Sequence, residues 1–232
     1  MAKRTFFVTG TDTGVGKTLV SAAILRAAGQ AGLRTLGMKP IASGCDDTAE
    51  GLRNEDALLL QEAMTETLSY DQINPIALKP AIAPHVAAAQ EQRVISAQRL
   101  VGFCRGMQMQ PADLLLIEGA GGWRVPLNDR ETYARVPQAL EIPVIMVVPL
   151  QLGCINHALL TAEAIRSDGL KVAGWVANRP SPETMSCESD TLDYLRSHLP
   201  APCLGVLPWQ ADVDLAVLAE ALELGPLLGE RP

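Results

Sequence analysis

Aromatic residues are scarce in this 232-residue chain: Phe, Trp and Tyr occur three times each, 4% in all. The apolar weight falls instead on Ala, Leu and Val, a bias that suits helices packed on buried strands. No run of Lys and Arg occurs and the formal net charge is −7. Nucleic-acid binders ordinarily show a basic patch or a high pI, so no nucleic-acid partner is expected. No segment approaches the roughly 20 apolar residues of a membrane helix. The apolar stretch Phe6-Phe7-Val8, behind Lys3 and Arg4, breaks too soon for a signal peptide. The five cysteines (Cys45, Cys104, Cys154, Cys187, Cys203) include no C-x-x-C pair. An odd, scattered set reads as free thiols in a reducing compartment, with no zinc site and no cysteine nucleophile. The expectation is a soluble cytoplasmic protein with no membrane partner.

Repeats, low-complexity tracts and linkers are also missing, so a single domain is expected over residues 1–226, followed by a poorly ordered tail, 227–232. Within it, short β-rich runs alternate with longer helical stretches. Thr5–Thr9, Thr35–Lys39, Asp113–Ile117, Val144–Val148, Lys171–Ala177 and Cys203–Leu207 read as strands, several of them continuously apolar as in sheets covered on both faces. Thr18–Ala31, Glu55–Ala63, Ala97–Met107, Ile155–Ser167 and Thr191–His198 read as helices. Strand, helix, strand in repetition predicts right-handed crossovers and a doubly wound, mainly parallel α/β sheet of the P-loop NTPase type.

The densest signal is Gly10-Thr11-Asp12-Thr13-Gly14-Val15-Gly16-Lys17-Thr18, placed after the first strand and opening the first helix. Glycines let the backbone N–H groups of such a loop turn inward, and the helix N-terminus adds its own unpaired N–H groups. Lys17 would reach the β- and γ-phosphates of ATP, and the Thr18 hydroxyl would bind Mg²⁺. The usual pattern wants its first glycine at position 11, where Thr11 stands; Gly10 lies one residue early. The bland alternative is a glycine-rich turn with a solvated lysine.

Glu118 follows an apolar run and enters Gly119-Ala120-Gly121-Gly122, so it is expected to emerge at the carboxyl edge of the sheet, where ligands bind in open α/β folds. The alternative is a carboxylate merely solvated at a strand end. Lys39, ending the second strand before Pro40-Ile41-Ala42-Ser43-Gly44, would hold an anionic or carbonyl group beside the γ-phosphate, or be a surface lysine. Asp56 would join Glu118 at the magnesium, or be a first-turn charge favoured by the helix dipole. Gly153-Cys154-Ile155-Asn156 opens a helix whose free N–H groups would bind a carboxylate. None of the three histidines (His85, His157, His198) has a metal-ligand partner at useful spacing.

Together these segments resemble the dethiobiotin synthetase family over most of the chain. The P-loop with its off-register glycine resembles that family's own. So, in the family's order, do Lys39-Pro40-Ile41-Ala42-Ser43-Gly44, Leu52-Arg53-Asn54-Glu55-Asp56-Ala57, Glu118-Gly119-Ala120-Gly121-Gly122, Leu152-Gly153-Cys154-Ile155-Asn156-His157, Gly174-Trp175-Val176-Ala177-Asn178 and Leu207-Pro208-Trp209.

The resemblance implies a magnesium- and ATP-dependent cyclo-ligase acting on 7,8-diaminononanoate and CO₂. One amine takes up CO₂ as a carbamate, the carbamate attacks the γ-phosphate, and the second amine closes the ureido ring of dethiobiotin. By the same resemblance Lys17 neutralises phosphate charge and Lys39 stabilises the carbamate, while Thr13 and Ser43 hydrogen-bond the carbamate or diamine. Thr18, Asp56 and Glu118 place Mg²⁺. Gly14, Val15, Gly16, Leu19 and Gly119 to Gly121 (through Ala120) line the triphosphate. Asn178, Arg179, Pro208, Trp209 and Gln210 frame the adenine. Gly153 to Asn156 take the substrate's carboxylate across a homodimer interface.

Two rival P-loop readings differ in what they require. An amide-forming ATP-dependent ligase would carry an additional glutaminase domain, for which the chain has no room. A ParA-like switch ATPase would show a second lysine inside the loop, where this chain has Asp12, and a basic or amphipathic surface element.

Overall fold

The computed structural model describes residues 3–229. Its centre is a six-stranded sheet built from β1 (Arg4–Gly10), β2 (Thr35–Met38), β7 (Leu114–Gly122), β8 (Val144–Pro149), β9 (Val172–Asn178) and β10 (Cys203–Leu207). The spatial order is β10-β9-β8-β1-β7-β2, and every neighbouring pair is parallel. All six match the strands read from the short β-rich runs. Two pairs were not anticipated: β3 (Ile41–Ser43) with β6 (Ile76–Leu78), parallel, and β4 (Asp46–Thr48) with β5 (Gly51–Arg53), antiparallel.

Helices α1 (Lys17–Gln30), α2 (Glu55–Ala63), α3 (Tyr70–Ile73), α4 (Pro84–Gln90) and α5 (Ala97–Met109) fall in the first half of the chain. They are followed by α6 (Arg135–Leu140), α7 (Cys154–Ser167), α8 (Glu188–His198), α9 (Leu215–Glu220) and α10 (Gly225–Leu228). Helix α1 packs on α2 and α9, α5 on α6, and α7 on α8. The sheet's apolar runs are buried as their composition demands: all six residues of β8 and the first six of β7 are sequestered from water. Three of the few aromatics meet in one place, the Phe7 ring lying edge-on to Trp123 and to Tyr133.

The chain leaves β1 toward β2 on one side, returns through β7, and only then crosses to β8 on the other side. The carboxyl end of β1 is therefore the topological switch point, where crossovers diverge and leave a crevice.

Two expectations need correction. The glycine-rich segment after Glu118 is strand rather than loop: β7 runs to Gly122, which pairs with Gly10. The register shifts between Glu118 and Gly122, so the glycines accommodate an irregularity in the ladder without ending the strand. Nor does the chain come loose at Leu227, which is buried within α10; the rest of the expected tail, 230–232, lies outside the described residues.

Candidate active site

The P-loop leaves β1 at Gly10 and ends at Gly16, the N-cap of α1, with a left-handed φ of 91°. That conformation favours glycine, and the space demands it as well, since a Cβ there would collide with the side-chain amide of Asn178. Asn178, at the end of β9, donates from Nδ2 to the Val15 carbonyl at 3.0 Å. Gly10 is equally confined, since a Cβ would lie 2.5 Å from Val15 Cγ2. Across the crevice, Gly121 backs onto the Thr13 hydroxyl.

Lys17 is buried, and its ammonium donates to the Asp12 carbonyl at 3.1 Å. Burial, reinforced by the like charge of Lys39, pushes its pKa down to about 8.

Lys39 follows β2 directly and is 4% exposed, which rules out the surface-lysine reading. Its ammonium lies 2.6 Å from Asp56 Oδ2 and 2.6 Å from Glu118 Oε1. Burial alone would lower its pKa, but the two carboxylates outweigh burial and raise it. Asp56 is half-exposed in the first turn of α2; burial pulls its pKa up, and the Lys39 charge overrides that and lowers it. Asp56 is thus both a first-turn charge and a partner of Lys39. Glu118 is wholly buried, and its Oε1 also accepts from the Thr18 hydroxyl at 2.7 Å. Its Oε2 has no hydrogen-bond partner, and the same holds for the buried Ser43 Oγ and Asn178 Oδ1.

Lys17, Thr18, Lys39, Asp56 and Glu118 therefore converge at the switch point. Residues 153–156, 179 and 209–210, also anticipated, have other partners or are exposed. Gly153, the left-handed N-cap of α7, has no side-chain cap, and Leu152 before it is 96% exposed. Arg179 sends its guanidinium to Glu188, Gln210 Oε1 accepts from the Asp214 N–H, and Trp209 is 41% exposed. Among the described residues no hydrogen bond joins Arg179, Gln210 or Gly153 to Asn156 with the Lys17–Glu118 cluster.

Three polar residues close to the cluster had no signal in the sequence. The Tyr133 hydroxyl donates to the Glu118 carbonyl at 3.5 Å. Asn74 Nδ2 donates to the Lys39 carbonyl at 2.7 Å, and Tyr70 joins Asn74 to the start of α2. Each lies in a segment with no periodicity or motif to single it out.

A family model described as an AAA domain matches residues 4–216. An ATP-dependent dethiobiotin synthetase of Marinobacter nauticus is 72% identical, over 98% of this chain and 99% of its own. One of Cellvibrio japonicus is 54% identical, again over 98% and 99%. Among solved structures, a ParA family ATPase of Chlorobium tepidum superposes with a TM-score of 0.57 at 14% identity, covering 97% of this chain and 92% of that one. The MinC:MinD cell division complex of Aquifex aeolicus gives 0.57 at 16%, covering 95% and 87%. At such identities the likeness is one of fold.

Proposed function

The chain belongs to the dethiobiotin synthetase family, and on that premise we propose that it closes the ureido ring of dethiobiotin from 7,8-diaminononanoate, CO₂ and ATP. The observation that carries this reading is the convergence of two buried lysines, a hydroxyl and two carboxylates at the end of β1.

One amine of the diamine adds to CO₂ and loses a proton, giving a carbamate. A carbamate oxygen attacks the γ-phosphorus as ADP leaves, forming a carbamic–phosphoric anhydride. The second amine attacks the carbonyl carbon, its proton is lost, and phosphate departs. Phosphoryl transfer depends on alignment and charge neutralisation rather than covalent help from the protein. Lys17 neutralises the phosphates, and Lys39 faces the carbamate and its developing anhydride. Ser43 and Thr13 hydrogen-bond the carbamate or diamine; the unpartnered Ser43 Oγ supports this. Ring closure is intramolecular, so holding the two nitrogens in place supplies much of the rate.

The oxygen-only set of Thr18 Oγ1, the Asp56 carboxylate and the unpartnered Glu118 Oε2 suits Mg²⁺, which favours hard ligands. Bound with ATP, Mg²⁺ would offset the negative charge of the β- and γ-phosphates. The unpartnered Asn178 Oδ1 would accept from the adenine amine, with Arg179, Pro208, Trp209 and Gln210 around the base.

We also propose a homodimer in which the uncapped start of α7, Gly153 to Asn156, takes the diamine's carboxylate from the partner's site. The exposed Leu152, just before that helix start, and Leu160, farther along α7 (96% and 56%), support an interface there. Five free thiols support a reducing, cytoplasmic setting.

The test is phosphate release from ATP by the purified protein. Release is expected only when both the diamine and bicarbonate are present. Turnover without the diamine, stimulated instead by DNA or lipid vesicles, would overturn the reading in favour of a switch ATPase.

A further inference from the structure

Lys39 and Asp56 are 17 residues apart in the chain and reside on different elements, yet their side chains meet at 2.6 Å. Something must set that separation. Lys39 is gripped by its own peptide: its N–H donates to the Ile73 carbonyl at 2.9 Å and its C=O accepts from Asn74 Nδ2 at 2.7 Å. The start of α2 is gripped from the same place, because the N–H of Asn54, its N-cap, donates to the Tyr70 hydroxyl at 2.7 Å. The circuit closes when that hydroxyl donates to Asn74 Oδ1 at 3.1 Å.

Donors and acceptors thus run in one direction, from Asn54 through Tyr70 and Asn74 to Lys39. Chains of this kind strengthen one another in a low-dielectric interior. Asn54, Tyr70 and Asn74 are 8%, 8% and 2% exposed, so water does not compete. The Arg53 guanidinium covers the Tyr70 ring at 4.3 Å from its centroid. Gln72 accepts from the Ser69 N–H and fixes the first turn of α3, which carries Tyr70. Neither Tyr70 nor Asn74 hydrogen-bonds to the Lys39 ammonium, Asp56 or Glu118.

We propose that Tyr70 and Asn74 are positioning residues for the ligase reaction: through the Lys39 peptide and the start of α2 they hold the Lys39 ammonium between Asp56 and Glu118. This rests on the roles given above to Lys39 and Asp56. Displacement of a reacting group by about 1 Å can cost on the order of 100-fold in rate, and only part of that is expected from one lost hydroxyl.

The experiment compares Tyr70→Phe and Asn74→Ser with Lys39→Ala and Asp56→Asn, using steady-state kinetics, thermal melts, and calorimetric ADP binding with and without Mg²⁺. Tyr70→Phe is expected to lower kcat about 10-fold, within that misplacement range, with KM for ATP within about twofold. The tightening of ADP binding by Mg²⁺ is expected to shrink several-fold, while metal-free affinity stays the same. Asn74→Ser is expected to behave alike and supplies the answer if Tyr70→Phe does not fold. A lowered Tm with kcat and the Mg²⁺ effect unchanged per folded molecule overturns the positioning role; loss of activity in Lys39→Ala and Asp56→Asn then leaves the reading of the site standing. If those two variants retain full activity, the reading of the site itself fails.

Discussion

The Lys39 ammonium lies 2.6 Å from Glu118 Oε1, with side-chain exposures of 6% and 0%. A pair so placed owes little to screening by solvent, and neither member is tolerable alone. Lys39→Met leaves the Glu118 carboxylate buried without its cation, a loss of about 3–5 kcal/mol by the usual cost of breaking buried pairs. Adding Glu118→Gln is expected to restore most of it, as read by urea unfolding. Turnover is expected to fall at least about 100-fold in Lys39→Met, the scale of losing one transition-state donor, with ATP affinity within a few-fold. Equal collapse of ATP affinity would remove Lys39 from the carbamate.

Lys17 gives the site its pH dependence. Its pKa of about 8, against an ordinary 10.5, means that the folded protein sheds this proton before the unfolded chain does. Between those values the unfolded state binds more protons, so this group's contribution to stability rises with pH across that window. Nucleotide binding runs the other way. The phosphates draw the proton back onto Lys17, so ATP affinity is expected to fall as pH climbs above about 8, with proton uptake on binding. Calorimetry in buffers of different ionisation enthalpy measures that uptake; its absence at pH 9 would contradict the assignment.

Gly16→Ala is expected to destabilise the protein by roughly 1–3 kcal/mol, the cost of a non-glycine residue held in a left-handed conformation. Because the new Cβ also displaces the Asn178 amide, binding of ATP is expected to be lost along with it. Pairing it with Asn178→Ala relieves the collision but not the backbone strain, so the melting temperature should recover only in part.

The thiols differ in their surroundings. Burial pushes Cys104 up to about 12, whereas Cys187 is exposed. Ellman's reagent is expected to modify Cys187 in the native protein and Cys104 only on unfolding. Rapid native labelling of Cys104 would mean that α5 opens locally.

What the sequence disclosed follows physical rules that act over short distances. Short β-rich runs of five to seven residues, some continuously apolar, announced all six strands of the main sheet, and a glycine-rich loop between strand and helix announced the phosphate site. Lys39 was legible because it closes a strand candidate and Glu118 because it directly follows one, and strand ends share an edge. The pairs β3–β6 and β4–β5 were hidden because three residues carry no period. Helices α3 and α10 are four residues long, and α6 has Pro137 inside it. Glycine misled at 119–122, where it signals a turn yet here lies in a strand whose register shifts after Glu118 and whose pairing resumes at Gly122. Tyr70 and Asn74 were invisible because their importance lies wholly in which peptides they reach, a matter of tertiary placement.

Asn178 and Gly122 also have a bearing on biosynthesis. The loop from Gly10 to Thr18 leaves the ribosome early, but Gly10 has no ladder partner until Gly122 and Val147 arrive, and Val15 lacks its amide donor until Asn178 emerges. Domains take shape as their segments are synthesised, and contacts this distant along the chain form slowly. The loop's contacts to β7, β8 and Asn178 are therefore all made with segments synthesised long after the loop itself, and the cradle is assembled late rather than first.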